Sequence, residues 1–330
     1  MSGPTSFGSV AGQRVVIAGA SGFVGQYLSE RFVSDGATVA TIGRSGADAV
    51  WGDRDSIARV LDGADLLINL AGKSVNCRYT DRNRAAIFSS RLLTTEELGS
   101  VISTLENPPS LWMNASTTTI YRHADDHPMT DEDGEIGSGF SVNVATSWER
   151  EFFAHHVPDT RQVALRMAIV LGHGSALTPL LALARVGLGG PQFGGKTRGA
   201  RQRFSWIHID DLYRGIRFLV DTPSVDGTVN FTSPNPVDNR ELMATIRRVL
   251  SVPFGMPLFS WMIHFGAWVI RTEPELLLKS RWVVPTRLQD AGFTFAHPQI
   301  EGALRDLTST PQEDAPEIGE TPDGVPRRPV

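Results

Sequence analysis

With 330 residues, 41% of them hydrophobic, the chain has material for a full doubly wound domain plus a smaller second lobe. A net charge of -5, a pI of about 5.9 and the lack of a basic tract argue against nucleic acid as a partner, and the single cysteine, Cys77, excludes an internal disulfide and a cysteine metal site. Residues 1–12 read as a flexible polar leader rather than a signal peptide. The apolar stretch from Phe259 to Ile270 is interrupted by His264 and too short for a bilayer, so a cytoplasmic protein without a membrane partner is expected.

The first strand, Val15-Val16-Ile17-Ala18, runs into Gly19-Ala20-Ser21-Gly22-Phe23-Val24-Gly25 and then a helical pattern. A glycine-rich turn between a buried strand and a helix is where a dinucleotide pyrophosphate sits. Gly19 permits the tight turn, Gly22 lets backbone approach phosphate, and Gly25 lets the helix pack on the strand. Ser21, Phe23 and Val24 complete that turn, whose N–H groups and dipole would face the anion. The second strand, Thr38 to Ile42, leads into Gly43-Arg44-Ser45. An NAD site usually carries an acid there, about 20 residues past the glycines, for the ribose 2′-OH. A guanidinium and a hydroxyl suit a 2′-phosphate instead, so NADP(H) is expected over NAD(H). Asp53 either reaches the adenine amino group or caps a helix beginning near Arg54.

Further strands are expected at Leu66 to Gly72, Leu111 to Ala115 and Gln162 to Arg166, with helices at about 82–103 and 142–156 between them. Trp206 to Ile209 then enters a helix spanning Asp210 to Asp221. This alternation predicts an α/β, Rossmann-type doubly wound parallel sheet with helices on both faces. After Arg166, glycine-rich stretches at Gly187 to Pro191 and Phe193 to Lys196 read as a long surface loop beside the site. Helices are expected near 238–251, 258–270 and 285–291. Trp261, Phe265 and Trp268 fall at helical spacing and read as core. The chain divides into a cofactor domain at 13–232, with 172–205 lent to a substrate lobe, a small interleaved C-terminal lobe at 233–308, and a disordered tail at 309–330. His155-His156 suits a helix end, Asp125-Asp126-His127 belongs to a polar loop, and no metal site is expected.

These residues together resemble an extended short-chain dehydrogenase/reductase of the NAD-dependent epimerase/dehydratase superfamily. Within it they resemble the atypical epimerase-like branch, class 39U, that ends in a small C-terminal domain. The resemblance covers roughly 14–307. It rests on Asn69-Leu70-Ala71-Gly72, Arg78-Tyr79-Thr80, Ser90-Arg91 with Thr95, Trp148-Glu149, Arg166 with Val170-Leu171-Gly172, and Gly187 to Gly190. Further on it rests on Gln202, Ser205 to Asp211, Ser233 to Val237, Pro285 to Leu288 and Ala291 to Phe293. It implies a cofactor site completed by Leu70, Ala71, Gly72, Ala115 and Arg166.

The superfamily places Ser or Thr four residues before a Tyr at the end of the fourth strand; here Thr117 precedes Tyr121 by four. Thr117 would hydrogen-bond the substrate oxygen, and Tyr121 could point toward the nicotinamide. The superfamily's Tyr-x-x-x-Lys pair, which supplies acid/base chemistry, is missing. In register with Glu149, Ser141 and Ala145 stand in its place, and no Tyr or Lys occurs between Arg122 and Lys196. Arg78 and Tyr79 are candidates for meeting an anionic or carbonyl substrate. Gln202 and Arg203, or alternatively Arg201, are candidates for lining the substrate pocket, whereas His208 reads as architectural. The expected function is an NADP(H)-binding, epimerase-like oxidoreductase acting by hydride transfer on a small polar or sugar-like substrate, with a homodimer as the expected assembly. The rival is a non-catalytic NADP(H)-binding sensor or scaffold.

Overall fold

The computed structural model describes residues 7–155, 157–175, 177–193, 201–259 and 280–309. In chain order the first half comprises β1 (Arg14–Ala18), α1 (Phe23–Ser34), β2 (Thr38–Gly43), β3 (Ala49–Val50), α2 (Arg54–Leu61), β4 (Leu66–Asn69), α3 (Asp81–Ile102), β5 (Leu111–Thr117), α4 (Phe140–Ala154) and β6 (Arg161–Met167). Then come β7 (Ile169–Leu171), α5 (Leu177–Arg185), β8 (Gln192–Phe193), β9 (Arg203–Phe204), β10 (Trp206–His208), α6 (Ile209–Asp221) and β11 (Gly227–Phe231). The remainder is β12 (Val237–Asp238), α7 (Asn239–Val249), β13 (Leu258–Phe259), α8 (Thr286–Asp290) and α9 (Ile300–Ser309).

Seven parallel strands form the main sheet in the order β11-β6-β5-β4-β1-β2-β3, a Rossmann-type arrangement. The apolar run of β1 explains why the sheet is covered on both faces. With side chains alternating along a strand, Val15 and Ile17 join one core with Leu28, Phe32 and Leu219, while Val16 and Ala18 join the other with Ile57, Leu98 and Trp112. A third core gathers Leu171, Leu177 and Trp206 with Leu242, Met243, Ile246, Ile300 and Leu304. Residues from mid-chain and from the C-terminal segment thus share one interior. In the other direction, Leu288, Phe293 and Phe295 return to the main sheet's core.

Three expectations change at their edges. The third strand ends at Asn69 rather than Gly72, because the Asn69 Oδ1 accepts the Ala71 N–H at 3.0 Å and turns the chain. The loop at Gly187 onward contains β8, which pairs in parallel with β13. The helix expected near 258–270 begins instead as strand β13 at Leu258–Phe259, its remainder lying outside the described residues. Elements unread in the sequence include α5, β11, where Asn230 interrupts the apolar run, and α9, whose Ile300, Ala303, Leu304 and Leu307 form a buried helical face. The expected leader up to Ser6, His156, the loop at 194–200, Trp261, Phe265, Trp268 and the tail from 310 lie outside the described residues. Among those described, no helix is long and apolar enough to cross a membrane.

The glycine turn depends on contacts that a side chain would break. Gly19 has φ +81°, and a Cβ on Gly25 would stand 2.5 Å from the Gly19 carbonyl oxygen and 2.7 Å from the Ala20 Cα, both backbone atoms. Gly25→Ala is therefore expected to push α1 off the turn and lower the unfolding free energy by about 1–3 kcal/mol. Gly302→Ala, with nothing near the added carbon, should be neutral or stabilise α9 by up to about 1 kcal/mol. Denaturant melts of the two variants check this, and equal midpoints would refute it.

Candidate functional site

A cavity of about 350 Å³ opens at the carboxyl ends of β1, β4, β5 and β6. One end is the glycine turn with the start of α1, contributing Gly19, Gly22, Phe23, Val24 and Gly25. The first turn of α1 carries no acidic residue, and its N-cap, Gly22, makes no side-chain cap bond, so the N–H groups there face outward without a carboxylate competing for them. Leu70, Ala115, Ser116, Thr117, Thr119 and Met167 line the cavity from the strand ends. Opposite them lie Val75 and Tyr79 from the loop before α3, Ile87 and Arg91 from α3, and Phe140, Ser141, Val144, Ala145 and Trp148 from α4. Tyr79 meets Phe140 edge-on, with ring centroids 5.2 Å apart.

The expected cofactor residues divide between this cavity and its surroundings. Ala71 is buried behind Leu70, and Gly72 lies against Arg91, where a Cβ would be 3.2 Å from its Cγ and Cζ. Ser21 is exposed in the turn. Arg44 and Ser45 are exposed immediately after β2, whose Ile42 pairs with Ala18 of β1, so they stand at the same sheet edge as the turn. Of the two alternatives for Asp53, the helix cap is present. Its side chain caps α2 by accepting the Ser56 N–H at 3.2 Å.

Thr117 lines the cavity, its Oγ1 accepting the Thr119 N–H at 3.1 Å and lying 3.0 Å from the Thr119 hydroxyl. Tyr121, its expected companion, is corrected by the structure: it is 2% exposed and does not line the cavity. Its hydroxyl accepts from Arg166 Nη1 at 2.8 Å and lies 2.8 Å from Asn230 Oδ1 and 3.1 Å from the Thr130 carbonyl. Burial pushes the phenol above its ordinary pKa despite the nearby guanidinium. Arg166 likewise does not line the cavity: its guanidinium forks onto the Glu149 carboxylate at 2.8 and 2.7 Å, and the Ser116 hydroxyl donates to the same carboxylate at 2.5 Å.

Of the expected substrate residues, Tyr79 alone lines the cavity; Arg78 is exposed in the loop beside it. Gln202 is buried, its Nε2 3.4 Å from the Gln192 carbonyl, and Arg203 stacks 4.3 Å over the Trp282 ring. Neither reaches the cavity, because β9 pairs with β12 instead of turning toward the sheet edge. Sequence reasoning placed Ser141 and Ala145 where the superfamily's pair stands but did not join them with Val144 and Trp148 as one face of α4 lining the cavity. Their spacing of three, one and three was a readable helical stripe. Arg91 was visible as a family-type residue without an assigned role.

His208 is architectural, as expected. Its Nδ1 accepts the Asp210 N–H at 3.1 Å and caps α6. Among the described residues, His208, His297 and Asp306 form a group with metal-ligand chemistry. The cap, however, places the neutral ring's proton on Nε2, which faces Asp306 Oδ2 at 3.3 Å, so no lone pair is left to bind an ion there. Asp211, behind it, accepts the Ala296 and His297 N–H groups at 2.7 and 2.8 Å and ties the C-terminal segment to α6.

The chain matches the model of the NAD dependent epimerase/dehydratase family over residues 15–230 and that of a domain of unknown function, DUF1731, over 260–307. It is 32% identical to the epimerase family protein SDR39U1 of Bos taurus over 308 residues, covering 89% of this chain and 99% of that protein. It is 28% identical to the epimerase family protein YfhF of Bacillus subtilis over 302 residues, covering 89% and 97%. The crystal structure of human SDR39U1 with NADPH superposes with a TM-score of 0.79 at 27% identity, covering 90% of this chain and 99% of that one.

Removing one member of a buried ion pair leaves the other charge uncompensated. Glu149→Ala should therefore lower the unfolding free energy by about 3–5 kcal/mol, and the double variant with Arg166→Met should regain part of it. A single-variant loss below about 1 kcal/mol in denaturant titration would be incompatible with this pair's placement. A second expectation concerns pH. Burial, and then His297, push His208 down to about 4. An unfolded imidazole titrates near 6.5, so as pH falls the unfolded chain takes up the proton first, and stability present above about 6.5 is lost toward 4. Asp211, raised by burial, acts in the opposite direction in both proteins when wild type is compared with His208→Asn. The wild type should lose more stability over that window, and equal pH slopes would contradict the assignment.

Proposed function

The chain belongs to the NAD dependent epimerase/dehydratase family, and on that premise we propose that it binds NADP(H) along the glycine turn and transfers hydride between the nicotinamide and a small substrate. One observation carries this reading: a single cavity holds both the glycine turn and, toward α4, the hydroxyls of Thr117, Thr119 and Ser141. The pyrophosphate would take the N–H groups of α1, with Gly19, Gly22 and Gly25 giving it room and Leu70 and Ala115 flanking the rest of the cofactor. Arg44 and Ser45 would hold the 2′-phosphate, in keeping with the NADPH bound to the human relative. Residues 13–232, with 172–205 lent to the second lobe, are read as the cofactor domain and 233–308 as the small lobe.

In the reducing direction, hydride reaches a carbonyl carbon and negative charge grows on the oxygen. Thr117, hydrogen-bonded to Thr119, is placed to donate to that oxygen, while Tyr79 and Phe140 wall the substrate. The proton then comes from solvent through the hydroxyls, because Ser141 and Ala145 supply neither the phenol nor the ammonium of the superfamily's Tyr-x-x-x-Lys pattern. The same chemistry favours a second reading. Among the lining residues only Tyr79 and Arg91 ionise at all, as suits a sensor that binds cofactor without turning it over.

Fluorescence titration should show NADPH binding at least about tenfold more tightly than NADH, with Arg44→Asp abolishing that preference. Equal affinities in the unmutated protein would defeat the NADP assignment. Consumption of NADPH with any member of a panel of carbonyl compounds supports the enzyme; tight binding without turnover across the panel supports the sensor.

A further inference from the structure

Arg91 is the one charged side chain among the residues lining the cavity. Its Nη1 is committed to the carbonyls of Lys73 and Ile87, at 3.1 and 2.9 Å. Nε and Nη2 form no hydrogen bond with a described residue, and no carboxylate pairs with the guanidinium among the described residues. It lies 5.1 Å over the Trp148 ring, and Gly72 makes room for it. Withdrawing a guanidinium from water without a counter-charge is costly, and desolvation accordingly lowers its pKa, yet an arginine keeps its proton. The fold therefore maintains a cation in the cavity with two donor nitrogens unspent.

We infer that Arg91 is an anchor for the carboxylate of a substrate whose body is apolar. The inference rests on the reading of the cavity as an NADP(H)-dependent site and narrows its substrate class. The Nε and Nη2 edge of a guanidinium is a planar fork that matches a carboxylate with two parallel hydrogen bonds. One cation balances a monoanion; a phosphate dianion would remain half compensated, since no second charged side chain lines the cavity. Val75, Ile87, Phe140 and Val144 line the same cavity and would cover an alkyl or aromatic body. Arg91 thereby sets specificity, and the oxo acids and hydroxy acids become the class of compound on which hydride transfer at this site would act.

The test uses 3-phenylpropanoate and its uncharged amide as probes, titrated by calorimetry into the full-length protein with and without saturating NADPH. The carboxylate is expected to bind at least about tenfold more tightly than the amide, a contrast that needs no variant. Arg91→Gln should erase it and Arg91→Lys retain part of it, while the NADPH affinity of both stays within about twofold of wild type. Equal binding of the two probes, absence of saturable carboxylate binding, or a loss of NADPH affinity in Arg91→Gln that matches the loss of probe affinity would overturn the inference. If the unmutated protein fails to bind NADPH but still selects the carboxylate through Arg91, the NADP(H) reading falls and the anion site stands. If it binds NADPH but does not select the carboxylate, the anion site falls and the NADP(H) reading stands.

Discussion

A buried guanidinium and carboxylate hold the site in register. Arg166 on β6 and Glu149 on α4 have left water together, and the fork between them is satisfied further by Ser116 of β5 and by the Tyr121 hydroxyl. Two ions in an apolar interior tolerate little displacement, because attraction offsets the desolvation penalty only when the geometry is kept. The pair therefore fixes where α4 crosses β5 and β6. It also carries the constraint across the sheet, since Tyr121 reaches Asn230 of β11, whose N–H donates to Asp131, and Asp131 in turn accepts from the Thr286 hydroxyl at the start of α8.

A second buried network sets the other wall. Asn69, at the end of β4, donates to Asn114 of β5 and to Thr95 of α3, and the Trp148 indole donates to the same Thr95 hydroxyl. The ends of two strands and the two helices that bound the cavity are thus joined by hydrogen bonds to a few small polar groups. Within that frame the residues at 141 and 145 on α4 are small. The space they leave is bordered by the Trp148 ring and by Arg91 from the neighbouring helix, so the cavity's charge comes from α3 rather than α4.

The third core is built by exchange. It combines β7, α5 and β10 with α7 and α9, while Phe293 and Phe295 cross back to pack with Phe218 against the main sheet. Asp211 accepting two backbone N–H groups from Ala296 and His297 fixes the point of return. Separating these shared cores would expose apolar area on both sides.

Local pattern determined much of this protein. The apolar run of β1, the glycines at 19, 22 and 25, the alternation of strands and helices and the acidic start of α6 each rest on neighbours within a few residues, so they were legible from the chain alone, whereas Thr117 and Tyr79, which line the cavity, were singled out through the family resemblance. Which side chains face that cavity was decided only in three dimensions. Tyr121 and Arg166 carry the right chemistry at the right spacing, yet each is consumed by a partner distant in sequence, Asn230 and Glu149. Arg91 gains its role for the opposite reason: no carboxylate from any described element pairs with it. A residue's availability depends on what the rest of the fold brings to it, and long-range pairing of buried polar groups is the part of the structure that periodicity and motif spacing do not encode.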